Sequence, residues 1–324
     1  YSDSMPALLF AAFQMMFAII TPALITGAVA GRMKFKALFF FIVLWSVIVY
    51  YPMPHMVWGS GGFLAEIGSV DFAGGNVVHI SSGVSGLVLA LILGKRSGYG
   101  QISVRPHNVP FVVLGAFLLW FGWFGFNAGS ALAADGLAVH ALMTTNTSAA
   151  AGMLSWMLID TIKTGKPTVI GACTGGVIGL VAITPGAGFV PIWASLIIGL
   201  LVSPICYFSV SVLKKKFGYD DALDAFGCHG IGGIWGGIAT GLFAKSSINP
   251  VAQWDGLVFG DFHLFRAQII GIVVTIVVSV VGTLICAGIV RIFTKLRVTE
   301  HDEKIGLDMT EHGESAYPSF NGLD

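Results

Sequence analysis

The sequence predicts an all-α, polytopic membrane protein built as a bundle of apolar helices. Of its 324 residues, 55% are hydrophobic and only 10% are charged, and the mean hydropathy is +0.84. Soluble domains carry roughly 25% charged residues. Nine apolar segments also approach or exceed the length of about 20 residues that crosses a bilayer. The net charge of zero leaves no basic surface for nucleic acid.

The nine apolar segments predict nine membrane spans. They cover residues 5–30, 37–59, 72–94, 109–133, 137–162, 168–184, 190–213, 222–244 and 263–292. All lysines and arginines except Lys245 and Arg266 fall in alternate linkers or near and beyond the end of the last span, and the positive-inside rule makes that side cytoplasmic. We therefore expect a multi-pass protein of the cell (plasma or inner) membrane with a cytoplasmic C-terminus. Its transmembrane domain would cover residues 1–298 and its cytoplasmic tail residues 299–324.

Two histidines lie at matched depths in spans that run in opposite directions. His79 and His229 are each about eight residues into their spans, so each lies about 12 Å from an opposite face of a core about 30 Å thick. Inverted repeats form substrate sites at this depth, and Asp71 and Asp224 are placed to cap the two helix starts. One alternative is that each histidine is a satisfied polar core residue. Another is a pair of haem ligands, against which the glycine-rich helix faces argue.

Aromatic residues cluster near the outer ends of two spans. On spacing alone Trp58 is typical of the aromatic belt at a membrane interface, and cation–π capture at a pore mouth is the alternative. Phe126 and Ser130 are four residues apart and share a helix face. Phe17 lies in the middle of its span with nothing local to distinguish it.

Several motifs resemble those of the ammonium transporter family, which includes the Amt, Mep and Rh proteins. The matching strings are AFQMMFA around Phe17, HMVWG around Trp58, DFAGGNVVHI at 71–80, PHN at 106–108, GWFGFNAGS at 122–130, DAFGCHG at 224–230 and GLDMTEHGESAY at 306–317. The resemblance covers nearly the whole chain and is closest to the Amt type. It implies an eleven-span inverted-repeat fold. Because the sequence begins at Tyr1 and resembles the family from its third span onward, we expect that the first two spans are missing from it.

The resemblance also implies roles for individual side chains along a pore. The roles are an outer ammonium recruitment site (Trp58, Ser130 and Phe17), a gate of two stacked rings (Phe17 and Phe126), a twin-histidine pore (His79 and His229), structural or cation-stabilising acids (Asp71 and Asp224) and a pore wall (Leu24, Val78 and Leu119). We expect no cofactor, no metal site and no enzyme activity. The four cysteines lie in apolar stretches without metal-type spacing, which indicates small buried side chains.

The function that the resemblance implies is transport of ammonium or ammonia across the cell membrane. Ammonium would be recruited outside and deprotonated, and ammonia would pass the hydrophobic pore, with methylammonium as an analogue. One alternative is an ammonium sensor without net transport. Another is an Rh-type gas channel, against which Trp58 and Ser130 argue. The resemblance further implies a homotrimer and a P-II-type regulatory protein at the cytoplasmic face.

Overall fold

The computed structural model describes residues 5–101 and 106–315, and within these ranges the chain is almost entirely helical. Its helices are α1 (Ala7–Val29), α2 (Phe35–Trp45), α3 (Pro52–Trp58), α4 (Phe63–Glu66), α5 (Ser81–Leu93), α6 (Val109–Ala128), α7 (Gly136–Thr164), α8 (Val169–Ile183), α9 (Ile192–Phe208), α10 (Lys214–Phe217), α11 (Ile231–Phe243), α12 (His263–Phe293) and α13 (Glu300–Ile305). The described part of the chain contains no β-strand, and its one isolated bridge joins Met33 to Arg297. The predicted all-α class is confirmed.

All nine predicted spans are helical. Six helical stretches are long and apolar enough to cross a membrane, namely Ala7–Val29, Phe35–Glu66, Gly75–Leu93, Val109–Ala131, Ile192–Phe217 and His263–Phe293. The other three are α7, which is rich in Thr, Ser and Asn, the shorter α8, and the glycine-rich helix that contains α11. Most residues of α8 and α11 are buried inside the bundle, so these two helices depend less on contact with lipid.

Four of the long helices contain a π-helical turn, and these turns occur in matched pairs. One pair lies at the ends of α2 and α9, at Ser46–Tyr50 and Ser209–Leu213. The other pair precedes α5 and α11, at Gly75–Ile80 and Phe226–Gly230. Since π turns are rare in helices and concentrate at functional sites, their pairing supports a repeated unit of α1–α2–α5 and α8–α9–α11.

Asp71 and Asp221 hold the starts of the two helices that carry the histidines. The Asp71 carboxylate accepts hydrogen bonds from the backbone N–H groups of Gly74, Gly75 and Asn76 at 2.7–2.8 Å. Asp221 accepts from the N–H groups at positions 225 and 226, at 3.0 and 2.7 Å. Each carboxylate therefore satisfies backbone donors that the first turn of a helix leaves unpaired.

The prediction that Asp224 caps the second of these helices is wrong. Asp224 has a φ of +56°, and its carboxylate pairs with Lys214 Nζ at 2.7 Å. The spacing held the correct signal, because Asp221 precedes His229 by eight residues just as Asp71 precedes His79.

Part of the predicted tail packs against the ends of the helices. Arg297 donates to the backbone oxygen of Leu93 at 2.9 Å and pairs with Glu303 at 2.7 Å. Glu303 also accepts from the N–H of Ser97 at 2.7 Å, and the N–H of Phe35 donates to Glu311 at 3.0 Å. The tail therefore contacts the linkers that the charge pattern assigns to the cytoplasmic side. Residues 316–324, and with them the end of the predicted tail, lie outside the described residues, as does Arg105.

Candidate functional site

His79 and His229 meet inside the bundle. Their Nδ1 atoms are 3.3 Å apart, and their ring centroids are 5.3 Å apart with 26° between the ring planes. His79 is 1% exposed, and its Nε2 has no hydrogen-bond partner among the described residues. The structure thus brings together two imidazoles that are 150 residues apart in the sequence, as their matched depths predict.

Glycines allow the two helices to approach this closely. A Cβ on Gly83 would lie 2.2 Å from the backbone nitrogen of Gly230, and a Cβ on Gly233 would lie 3.0 Å from the Cβ of His79. No larger residue fits at Gly83 without moving a backbone, so the helix crossing depends on the absence of a side chain there.

Trp123 completes the surroundings of His79, and the sequence analysis did not identify it. Its ring stacks on His79 at 5.4 Å and on Phe126 at 5.2 Å, and its Nε1 donates to the hydroxyl of Thr184 at 2.9 Å. A signal was present, because Trp123 lies three residues before Phe126 in the GWFGFNAGS motif and so shares its helix face.

The predicted recruitment and gate residues form a connected series of side chains. Trp58 contacts Phe17 with centroids 5.9 Å apart, Phe17 contacts Phe126 at 4.6 Å, and Phe126 contacts His79 at 6.0 Å. The gate rings are tilted by 50°, so the expectation that they are stacked is wrong. Edge and tilted contacts suit the quadrupoles of aromatic rings better than face-to-face stacking does.

Hydrogen bonds hold the outer members of this series. Trp58 Nε1 donates to the backbone oxygen of Asp71 at 2.6 Å. The hydroxyl of Ser130 donates to the backbone oxygen of Phe126 at 2.9 Å. Trp58 is therefore hydrogen-bonded to the capping segment of one histidine helix, and Ser130 to the backbone of the gate residue Phe126.

Two cavities adjoin the histidines. One, of about 540 Å³, is lined by both gate rings and both histidines together with Leu24, Val78, Leu119 and Trp123. The other, of about 470 Å³, lies on the side of Thr26, Cys173 and Cys228. Leu24, Leu119 and His229 line both cavities, and Val78 lines the first. The predicted wall residues Leu24, Val78 and Leu119 therefore lie along one largely apolar route past the histidines.

Asp71 and Asp221 lie outside this route. Both are buried, with 5% and 1% of their surface exposed, and both point their carboxylates at backbone N–H groups. Within the described ranges, no group of three or more His, Cys, Asp or Glu side chains is placed to hold a metal ion. The site therefore consists of aromatic rings, apolar walls and two imidazoles.

An apolar route through a helical membrane bundle, closed by aromatic rings and interrupted by one buried and one half-buried imidazole, defines a membrane transport protein for a small solute. The chain belongs to the ammonium transporter family: the model of the Ammonium Transporter Family matches residues 1–317. Its members are transporters rather than enzymes, so the chain is a membrane-spanning ammonium transport protein.

Individual relatives agree with this assignment. The chain is 56% identical over 317 residues to the ammonium transporter of Bacillus subtilis, covering 98% of this chain and 78% of the relative. It is 46% identical over 311 residues to the ammonium transporter Amt1 of Archaeoglobus fulgidus, covering 96% and 78%. The crystal structure of Saccharomyces cerevisiae Mep2 matches with a TM-score of 0.86 and 40% identity, over 92% of this chain and 68% of that one.

Proposed function

We propose that the transporter recruits ammonium at Trp58, Phe17 and Ser130 and separates it into ammonia and a proton. Ammonia passes along the route between the gate rings and the histidines, and the histidine pair relays the proton, so that transport carries charge. The observation that carries this proposal is the 3.3 Å contact between His79 and His229 beside an apolar cavity. Aromatic ring faces attract a cation within about 6 Å of their centroids, and a hydroxyl oxygen accepts from ammonium.

The apolar walls supply the selectivity in this proposal. Taking a bare cation into a medium of low dielectric costs on the order of 20 kcal/mol in the idealised Born limit. Ammonium can avoid this penalty by giving up a proton, and potassium cannot. The route lined by Leu24, Val78 and Leu119 therefore favours the solute that can cross uncharged.

The histidine pair offers ammonia one donor and one acceptor. Two neutral imidazoles share a hydrogen bond when one Nδ1 carries a proton and the other does not. On the ring whose Nδ1 carries the proton, Nε2 is an acceptor. On the other ring, Nε2 carries the proton and is a donor. Nε2 of His79 is buried and has no hydrogen-bond partner in the described part of the chain, so it is available to a solute in the cavity.

Substitution of the histidines tests the proposal. The measurement is a voltage-clamped or solid-supported-membrane recording of the full chain. We expect His79→Ala and His229→Ala to lower the ratio of ammonium current to potassium current by about tenfold or more. A tenfold change corresponds to about 1.4 kcal/mol. The physical reason is that an enlarged, hydrated cavity admits ions of fixed charge. His140→Ala is the control, because His140 bonds to the backbone oxygen of Val190 at 2.8 Å and lines neither cavity. Unchanged selectivity in both pore variants would refute the role of the pair.

The assignments of the acids and of the two domains belong to the same proposal. Asp71 stabilises the recruitment side through its helix cap, and Asp221 has the capping role in the second repeat that was predicted for Asp224. Asp224, paired with Lys214, remains a candidate for stabilising a cation on the opposite side. Residues 1–298 form the transmembrane domain and residues 299–324 the regulatory tail.

We also propose a homotrimer in the plasma or inner membrane, with the C-terminus in the cytoplasm and a P-II-type regulator docking beside the tail. The contacts of Arg297, Glu303 and Glu311 with linkers rich in lysine and arginine support this placement. Mass measurement in detergent tests the trimer. Protease access from each side of sealed vesicles tests the orientation.

Ammonium sensing is the second candidate function. A solved structure titled "Sensor Amt Protein" matches with a TM-score of 0.82 and 30% identity, over 92% of this chain and 75% of that one. A flux measurement decides between the two, since a transporter carries positive charge into proteoliposomes when ammonium is added and a sensor binds ammonium without net movement. The higher identity to proteins named as transporters favours transport.

A further inference from the structure

We propose that Gln268, a buried residue near the start of α12, positions the ammonium recruitment site by holding the chain segment to which Trp58 is bonded. The proposal rests on the recruitment role proposed for Trp58. A glutamine inside an apolar membrane helix is expensive unless every polar atom is paired. Gln268 is 1% exposed, so its partners explain why the position is polar.

The amide of Gln268 grips the backbone of a single residue from both sides. Its Oε1 accepts from the N–H of Val70 at 2.8 Å, and its Nε2 donates to the oxygen of Val70 at 2.9 Å. The same Oε1 accepts from the hydroxyl of Ser69 at 2.7 Å. A pair of hydrogen bonds to the N–H and the oxygen of one residue specifies the register and orientation of the chain there, as a neighbouring β-strand does.

The next residue along the chain is Asp71, and it connects this grip to the recruitment site. Its backbone oxygen accepts the indole N–H of Trp58 at 2.6 Å, and its carboxylate caps the helix of His79. On the far side, the N–H of Phe72 donates to the backbone oxygen of Pro185 at 3.0 Å. The carbonyl that orients Trp58 is thus fixed by Gln268 before it and Pro185 after it.

Without Gln268, the N–H and the oxygen of Val70 each lose their hydrogen bond to it in a region closed to water. The segment would then shift to find other partners, and the Asp71 oxygen would move with it. The indole of Trp58, which packs at 5.9 Å on Phe17, would lose its fixed angle to the incoming cation. The effect should appear in ammonium affinity rather than in the passage of ammonia past the histidines.

Ammonium-evoked currents of Gln268→Met in proteoliposomes test this role. We expect the half-saturating ammonium concentration to rise about threefold to tenfold, which corresponds to the loss of one or two hydrogen bonds, with the maximal current within about twofold of the parent. Ser69→Ala removes the hydrogen bond from the Ser69 hydroxyl to Gln268 and should raise the half-saturating ammonium concentration about twofold. This variant tests the proposal if Gln268→Met fails to fold. Thr283→Val is the control, because Thr283 lies on the same helix and its buried hydroxyl has no partner among the described residues.

A second background separates positioning from general stability. Trp58→Phe keeps a ring but lacks the N–H that bonds to Asp71, so Gln268→Met should raise the half-saturating concentration no further in that background. An equal rise in both backgrounds, or no rise in either, would overturn the inference. If Trp58→Phe by itself leaves half-saturation unchanged, the recruitment proposal fails instead.

Discussion

At the scale of single residues, Asp221 shows how burial and capping oppose one another. The side chain lies in the turn before the helix of His229. Burial raises its pKa to about 6, with the negative charge of Asp224 adding to the shift, while the N–H of Phe226 and the charge of Lys214 oppose it. The carboxyl is therefore harder to ionise in the folded protein than in the unfolded chain.

This shift predicts a pH dependence of stability. The contribution of Asp221 is complete below its ordinary pKa near 3.8 and is lost as pH rises through about 6, amounting to up to about 3 kcal/mol at 1.36 kcal/mol per unit. Asn cannot ionise and escapes this loss. We therefore expect the Tm of Asp221→Asn minus the Tm of the parent to increase between pH 4.5 and 7.5. Thermal unfolding of detergent-solubilised protein measures this difference.

Asp255 provides the matched control for this measurement. Hydrogen bonds from the N–H and hydroxyl of Ser246 lower its pKa, so its contribution is present at higher pH and is lost as pH falls. The Tm of Asp255→Asn minus the Tm of the parent should therefore not increase as pH rises. Parallel pH profiles for the parent and Asp221→Asn would contradict the role assigned to burial at Asp221.

Residue identities predicted much of the site. The motifs singled out both histidines, both gate rings and Trp58, because a buried imidazole or an unusual aromatic string is conspicuous in an apolar chain. They missed Trp123 and Asp221 and placed the cap at Asp224. Which tryptophan stacks on His79, and which of two nearby aspartates turns inward, depends on backbone angles that neither residue type specifies.

At the scale of helices, the crossing of α5 and the helix of His229 sets the distance between the two imidazoles. Gly83→Ala places a Cβ 2.2 Å from the nitrogen of Gly230, so the helices must separate. Overpacking of this kind destabilises by about 1–3 kcal/mol. We expect a lower Tm and a large loss of ammonium current at matched protein density.

Gly288→Ala on α12 is the control for Gly83→Ala, because a Cβ there meets nothing within 4 Å. It should leave the current unchanged and keep or slightly raise the Tm, since alanine favours helix more than glycine does. If Gly83→Ala retained the current and Tm of the parent, close helix contact would not be what holds the histidine pair.

Helix positions were predicted well and helix irregularities were not. The apolar runs located all nine spans to within a few residues. The four π turns, including the two that carry His79 and His229, left no signal in hydropathy. A π turn adds one residue without changing the apolar character of a helix, so only backbone geometry reveals it.

At the scale of the whole molecule, Glu303 connects the tail to the bundle. It accepts from the N–H of Ser97 and pairs with Arg297, which in turn bonds to the end of α5. We expect Glu303→Gln to weaken this connection by about 1 kcal/mol, because a neutral acceptor replaces a charged one and the pair is partly exposed. Limited proteolysis of residues 294–312 should then be about fivefold faster.

Glu300→Gln is the matched control on the same short helix. Glu300 is exposed and pairs mainly with Lys304 in the next turn, with a smaller interaction with Ser97, so its loss should change the cleavage rate less than the loss of Glu303. Equal cleavage rates for Glu303→Gln and the parent would show that other contacts, such as that of Glu311 with Phe35, hold the tail.

The sequence by itself determined that this protein crosses a membrane as a helical bundle, that two histidines lie at mid-depth, and that the chain resembles ammonium transporters. The first two properties follow from the hydropathy, charge and spacing of residues along the chain, and the third follows from its motifs; none of them needs knowledge of the fold. Only the tertiary structure decided how closely and at what angle the imidazoles meet, that Trp123 stacks on one of them, and that Gln268 holds the segment behind Trp58. These contacts join residues as far as 199 positions apart, and their geometry depends on how the helices cross.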